Sequence, residues 1–139
     1  VLITKRTPPD PSLLSELEAE FVSLHDLLTR SDVVTIHIPH TPQTHHIIGE
    51  QELSTIKKGA YLVNTSRGAI VDEKALLTAL RLGRLRGAAL DVYDVEPPAD
   101  WTLMQLPNVV CTPHIGAQTH EAQRLGSVLL AEKIISSFS

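Results

Sequence analysis

A chain of 139 residues is about one domain long, enough to bury a core. With 42% hydrophobic and 20% charged residues it has the composition of an ordinary soluble globular protein. A formal net charge of −4 offers no basic face for nucleic acid, and no apolar run approaches the roughly 20 residues that span a bilayer.

Val1 to Arg6 lacks the long apolar stretch and small-residue cleavage site of a secretory leader. The single cysteine, Cys111, has no partner for an internal disulfide, which points to a reducing, cytoplasmic setting. In chain order, Val1 to Thr4 reads as a strand. Asp10 then caps a helix with Pro11 at its first position and Leu13, Leu14 and Leu17 on its apolar side. Phe21-Val22 is a brief strand, His25 to Arg30 a short helix, and Val33 to Ile38 a clear strand stopped by Pro39. Glu50 to Lys58 reads as a helix closed by Gly59, and Tyr61 to Val63 as the next strand. Asp72 caps a helix with the stripe Ala75, Leu76, Ala79 and Leu80, ended by Gly83. Strands follow at Gly87 to Val92 and Val109 to Thr112. A long terminal helix starts at His120, with Leu125, Val128, Ala131, Ile135 and Phe138 as its apolar stripe.

Almost wholly apolar strands separated by helices imply an α/β fold, a parallel sheet with helices on both faces. No repeat, low-complexity segment or linker divides the chain, so residues 1–139 read as one domain. Parallel sheets bind ligands at the carboxyl ends of their strands. That rim gathers Pro39, Asn64 to Arg67, Asp91 to Glu96 and Pro113 to Gly116.

Each charged rim residue has a bland reading: Arg67 as a surface ion-pair partner, Asp91 or Asp94 as a helix cap, His114 as a half-buried, satisfied histidine. Their coincidence at the ends of three consecutive strands favours chemistry. Arg67 offers a planar fork for a carboxylate, and His114 is suited to giving and taking a proton near neutral pH. Glu96 beside it would favour the protonated ring and hold its orientation. Such a set suits reduction of a 2-oxo acid.

The blocks "LVNTSRGAIVDEKALLTALRLGRLRGAALDVYDVEP", "NVVCTPHIGAQTHEAQ" and "SDVVTIHIPHTPQTHHIIGE" resemble the D-isomer-specific 2-hydroxyacid dehydrogenase family over nearly all of the chain. The resemblance implies a Rossmann-type NAD(P)-binding domain of an oxidoreductase, with Arg67 as substrate arginine, Glu96 as orienting glutamate and His114 as acid–base histidine. It places Asp91 near the nicotinamide carboxamide, and Ile38, Pro39, Thr65, Ser66, Arg67, His114, Gly116 and Ala117 along the cofactor. Gly68 is expected to leave room for close backbone approach. No metal is implied.

The family's G-x-G-x-x-G fingerprint, with its strand and helix, does not occur in this sequence. The domain therefore reads as incomplete, lacking its first strand. The strands at Val1 and Phe21 are expected to lose the neighbour that would link them to Val33, and the chain alone is expected to be inactive. "VLITKRTPP" resembles the family's second Rossmann strand; the first strand of the substrate domain is the other reading. On the first reading Lys5, Arg6 and Thr7 stand where NAD-selecting members carry an acidic residue, which favours NADP. "HIGAQTHEAQ" resembles the 3-phosphoglycerate dehydrogenase motif and "ITKRT" that of glyoxylate and hydroxypyruvate reductases, so the 2-hydroxy acid stays open. The family implies a homodimer. It also contains corepressors that use NAD(H) to control dimerisation, the alternative role.

Other features read as structural. His45-His46 resembles a metal pair, but adjacent residues should point apart and no ligand follows at helical spacing. Cys111 reads as a small buried hydrophobe, Arg81, Arg84 and Arg86 as solvated cations at a helix end, and Trp101 as a packing or subunit contact.

Overall fold

Helix starts are written in single side chains. In the computed structural model, which describes residues 1–138, Asp10 begins α1 (Pro11–Glu16) by accepting from the Ser12 N–H, and Ser23 begins α2 (Leu24–Arg30) by accepting from that of Asp26. Asp72 accepts from the N–H groups of Lys74 and Ala75 at the start of α4 (Glu73–Arg81), and Thr119 from that of Ala122 at the start of α5 (His120–Ser137). Each such cap contributes about 1 kcal/mol. The remaining helix, α3 (Glu50–Thr55), starts at Gly49, whose N–H donates to the Glu52 carboxylate at 3.2 Å.

The strands are β1 (Leu2–Ile3), β2 (Glu20–Phe21), β3 (Val33–Ile36), β4 (Ala60–Asn64), β5 (Leu85–Leu90) and β6 (Val109–Cys111). All pairings between them are parallel, in the order β3-β4-β5-β6, with β1 and β2 forming a separate two-stranded sheet. The sheet is thus interrupted between β1 and β3, where the sequence predicted a missing neighbour.

Register sets the core. Val34, Leu62, Ala88 and Val109 share one rung, and Ile36, Asn64, Leu90 and Cys111 the next on that face. Against it pack Leu28 of α2, Leu53 of α3, and Leu76 and Leu80 of α4, each at most 4% exposed. Burying one such side chain is worth about 1.5–3 kcal/mol. The expected cover on the second face is not found among the described residues: Val33 (57%), Tyr61 (41%) and Val110 (66%) stay exposed there. α5 buries none of its side chains, so its predicted stripe covers nothing. Leu129, Leu130 and Ile134, all exposed, interrupt that stripe and leave the helix without one apolar side. α1 likewise buries no residue, and Leu13 and Leu17 are exposed.

Several boundaries move. β3 ends at Ile36, opposite Asn64, rather than at Ile38. α3 ends at Thr55 rather than Lys58, because the chain turns from Lys57 into β4 through Gly59 at φ 84°. β5 spans Leu85–Leu90 rather than Gly87 to Val92, since Asp91 leaves the ladder for side-chain work of its own. No described helix is long and apolar enough to cross a membrane.

Candidate active site

The rung Ile36–Asn64–Leu90–Cys111 ends the four-stranded sheet, so the segments that follow these residues leave on one rim. After β4 the chain makes a tight turn. The Ser66 N–H donates to Asn64 Oδ1 at 3.1 Å and Asn64 Nδ2 donates to the Arg67 carbonyl at 2.9 Å. The Ser66 hydroxyl donates to the Ile38 carbonyl, tying this turn to the segment after β3. Arg67 is exposed, and its guanidinium donates to the Ser66 carbonyl at 2.6 Å.

Next comes the close approach foreseen at Gly68, and it is to the chain's own backbone. A Cβ there would lie 1.8 Å from the carbonyl carbon of Tyr93 and 2.3 Å from the nitrogen of Asp94. That neighbouring turn carries Glu96. One Glu96 oxygen accepts from the Tyr93 N–H at 3.0 Å, and the other lies 2.7 Å from Nδ1 of His114. Arg67 and the Glu96–His114 pair are therefore joined through contacting backbone. The hydrogen bond from His114 and then that from Tyr93 hold the Glu96 carboxyl below its ordinary pKa. With Nδ1 committed to Glu96, Nε2 is the ring nitrogen left for a proton transfer.

Asp91 works beneath this pair. It is 5% exposed. Its Oδ1 accepts from the Thr112 hydroxyl at 2.5 Å and the Ile115 N–H at 2.8 Å, and its Oδ2 from the Gly116 N–H at 2.8 Å. Burial pushes its carboxyl upward, but these three donors, with His114 nearby, outweigh burial and leave its pKa lowered. They brace a loop in which His114 takes the left-handed φ of 54°, a strained value for a non-glycine residue. Gly116 matches the bracing: a Cβ there would fall 2.9 Å from Asp91 Oδ2. Asp91, expected beside the nicotinamide, thus directs both oxygens to the histidine loop, a part its sequence context did not reveal.

Tyr93 closes the floor, its hydroxyl donating to the Thr112 carbonyl at 2.8 Å; burial, then Cys111, push its pKa to about 12. Beside the pair lies a cavity of about 400 Å³ bordered by Pro97, Trp101, Met104 and Cys111. Cys111 is half-buried rather than buried, with its thiol pKa raised by that partial burial.

Of the remaining expected residues, Ile38 is half-buried, while Pro39, Thr65, Gly116 and Ala117 are exposed along the rim. Lys5, Arg6 and Thr7 are exposed beyond Ile3, on the two-stranded sheet, so strand pairing does not join them to the rim. The His45 and His46 rings do not point apart: they stack with centroids 3.9 Å apart, His46 having a φ of 50°. No group of three potential metal ligands occurs among the described residues.

Parallel strands with helices between them, and their loops gathered at the carboxyl ends, define a Rossmann-type nucleotide-binding unit. Residues 1–116 match the family described as D-isomer specific 2-hydroxyacid dehydrogenase, NAD binding domain. The chain belongs to that family. It is 49% identical over 111 residues to D-3-phosphoglycerate dehydrogenase of Methanocaldococcus jannaschii, covering 80% of this chain and 21% of that protein. A glyoxylate reductase from Paecilomyes thermophila superposes with a TM-score of 0.92 at 38% identity, over 98% of this chain and 41% of that one. D-lactate dehydrogenase from Aquifex aeolicus, complexed with NAD and lactic acid, superposes with a TM-score of 0.83 at 32% identity, over 98% of this chain and 46% of that one. The chain therefore spans less than half the length of these relatives.

Proposed function

We propose that this chain is the catalytic face of the NAD(P) domain in an oxidoreductase that interconverts a D-2-hydroxy acid and its 2-oxo acid. The substrate class we favour is that of the 3-phosphoglycerate dehydrogenases or the glyoxylate and hydroxypyruvate reductases. The reading rests above all on the Glu96–His114 contact at 2.7 Å, joined through the backbone at Gly68 to an exposed arginine. Arg67 holds the substrate carboxylate in its fork. His114 gives a proton from Nε2 to the carbonyl oxygen during reduction and takes it back during oxidation. Glu96 orients the ring through its contact with Nδ1.

The rim fits a dinucleotide. Thr65, Gly116 and Ala117 are exposed along it, and half-buried Ile38 gives one apolar flank. A nicotinamide cofactor bound there supplies or accepts the hydride. NAD suits the family as a whole; for this chain we favour NADP. Lys5 and Arg6, exposed just past β1 with Thr7 beside them, offer two cations and a hydroxyl to a 2′-phosphate. Wild type should then prefer NADPH, and Lys5→Asp/Arg6→Ala should lower the NADPH-to-NADH efficiency ratio by about tenfold or more per cation lost. An NADH preference that the double variant leaves untouched removes these residues from the site.

Glu96→Gln tests the pair. The bond from His114, then that from Tyr93, holds the Glu96 carboxyl below its ordinary pKa, so wild type should keep this charge as pH falls through the usual carboxylate range. Glutamine keeps the shape and removes the charge, so the variant should reduce a 2-oxo acid about 10- to 100-fold more slowly. An unaltered kcat separates Glu96 from His114 functionally.

The working form we propose is a homodimer, a reading supported by the apolar residues of α5, none of which is buried, in the reducing cytoplasm that the single cysteine suggests. Turnover of glyoxylate, hydroxypyruvate or phosphohydroxypyruvate by the intact protein distinguishes it from an NAD(H)-sensing corepressor.

A further inference from the structure

Asn64 is 1% exposed and, with Asp91, makes up the buried polar side chains among the described residues. It ends β4 on the core-facing rung between Ile36 and Leu90, where its chain neighbour on that face is Leu62. An amide in such a place costs free energy unless it is hydrogen-bonded, and a leucine would fill the space without that demand. Its bonds explain its presence. Oδ1 accepts from the Ser66 N–H at 3.1 Å and Nδ2 donates to the Arg67 carbonyl at 2.9 Å. Its own carbonyl accepts from the Asp91 N–H at 3.0 Å. One buried side chain thus holds the backbone on both sides of the Arg67 side chain. Arg67 itself is exposed and bonded to the adjacent Ser66 carbonyl, so the aim of its guanidinium depends on that backbone.

We propose that Asn64 is the positioning residue for Arg67: it fixes the direction from which the guanidinium meets the substrate carboxylate. This rests on the proposed role of Arg67 as the carboxylate clamp. Aspartate at this position has nearly the same shape and keeps the acceptor for Ser66. It replaces the donor to the Arg67 carbonyl with a second acceptor, which turns attraction into repulsion at that contact.

The test uses the intact enzyme, steady-state kinetics and a 2-oxo acid compared with its uncharged amide. Asn64→Asp should lower kcat/KM for the acid by about 10- to 100-fold, chiefly through KM, the range of a misaligned charge-assisted bond. The amide should lose much less, so discrimination between the two collapses. In an Arg67→Gln background the Asn64 substitution should add little, because the group it positions is gone. Asn64→Ala, which removes the amide without adding a charge, should show the same pattern more weakly. Equal losses on acid and amide, additivity with Arg67→Gln, unchanged kinetics, or failure of both variants to fold overturns the proposal. Wild type that does not reduce 2-oxo acids, or Arg67→Gln with an unaltered KM, defeats the clamp reading itself and is told apart on that ground.

Discussion

Replacing His114 with asparagine should lower the rate of 2-oxo acid reduction in the intact enzyme by a factor of about 10²–10⁴, the range for loss of an acid–base group. Asparagine is chosen for the backbone. His114 sits at φ 54°, a conformation that asparagine tolerates better than most residues. The Asp91 bonds to Ile115 and Gly116 come from main-chain groups that the substitution leaves in place. The loop is therefore expected to keep its shape, and the lost rate to reflect the missing proton donor. Near-normal kcat in the variant, with circular dichroism showing an unchanged fold, contradicts the assignment of His114.

The second large effect is expected at Gly68. An alanine Cβ would stand 1.8 Å from the carbonyl carbon and 2.0 Å from the oxygen of Tyr93, distances that no rotamer relieves because both sides are backbone. The 93–94 turn and the 67–68 turn must separate. Gly68→Ala should destabilise the protein by about 3 kcal/mol or more, at the upper end of what overpacking costs. It should also abolish most turnover, since the separation carries Arg67 away from Glu96 and His114. Urea unfolding and activity together measure it. Gly126→Ala is the control: a Cβ there meets nothing within 4 Å in the middle of α5. It should be neutral or stabilising by up to about 1 kcal/mol. Wild-type stability and turnover in Gly68→Ala would mean that the two turns do not need their contact.

Much of this architecture is legible in the chain because local signals agree with one another. Asp72 before Ala75, Leu76, Ala79 and Leu80 gives a capped amphipathic helix, and the structure has it at Glu73–Arg81. Gly59 and Gly83 both take positive φ where helices hand over to strands. The adjacency of Glu96 and His114 was readable because both follow strands that pair directly, β5 and β6. What stayed hidden depends on depth and register. The sequence places Asn64 on the rim before Arg67 without showing its depth, and the rung it shares with Ile36 and Leu90 buries it. The bracing of the histidine loop by Asp91 shows only in the three donors that converge on its carboxylate. The terminal stripe of α5 misled because a periodic run of apolar residues states what a helix can bury, never that a surface lies within its reach.

The interruption between β1 and β3 has a consequence for how the protein can change over generations. β1 and β2 contribute two residues each and hold together through bonds such as Glu20 N–H to the Val1 carbonyl and Val22 N–H to the Ile3 carbonyl, while the core belongs to the other sheet. The pair β1–β2 supplies no residue to the core cluster, so its amides are expected to exchange with solvent faster than those of β4 and β5. Lys5, Arg6 and Thr7 follow that pair, whereas the bonds among Glu96, His114 and Asp91 are made after β5 and β6. Substitutions at residues 5–7 are thus expected to accumulate without disturbing those bonds.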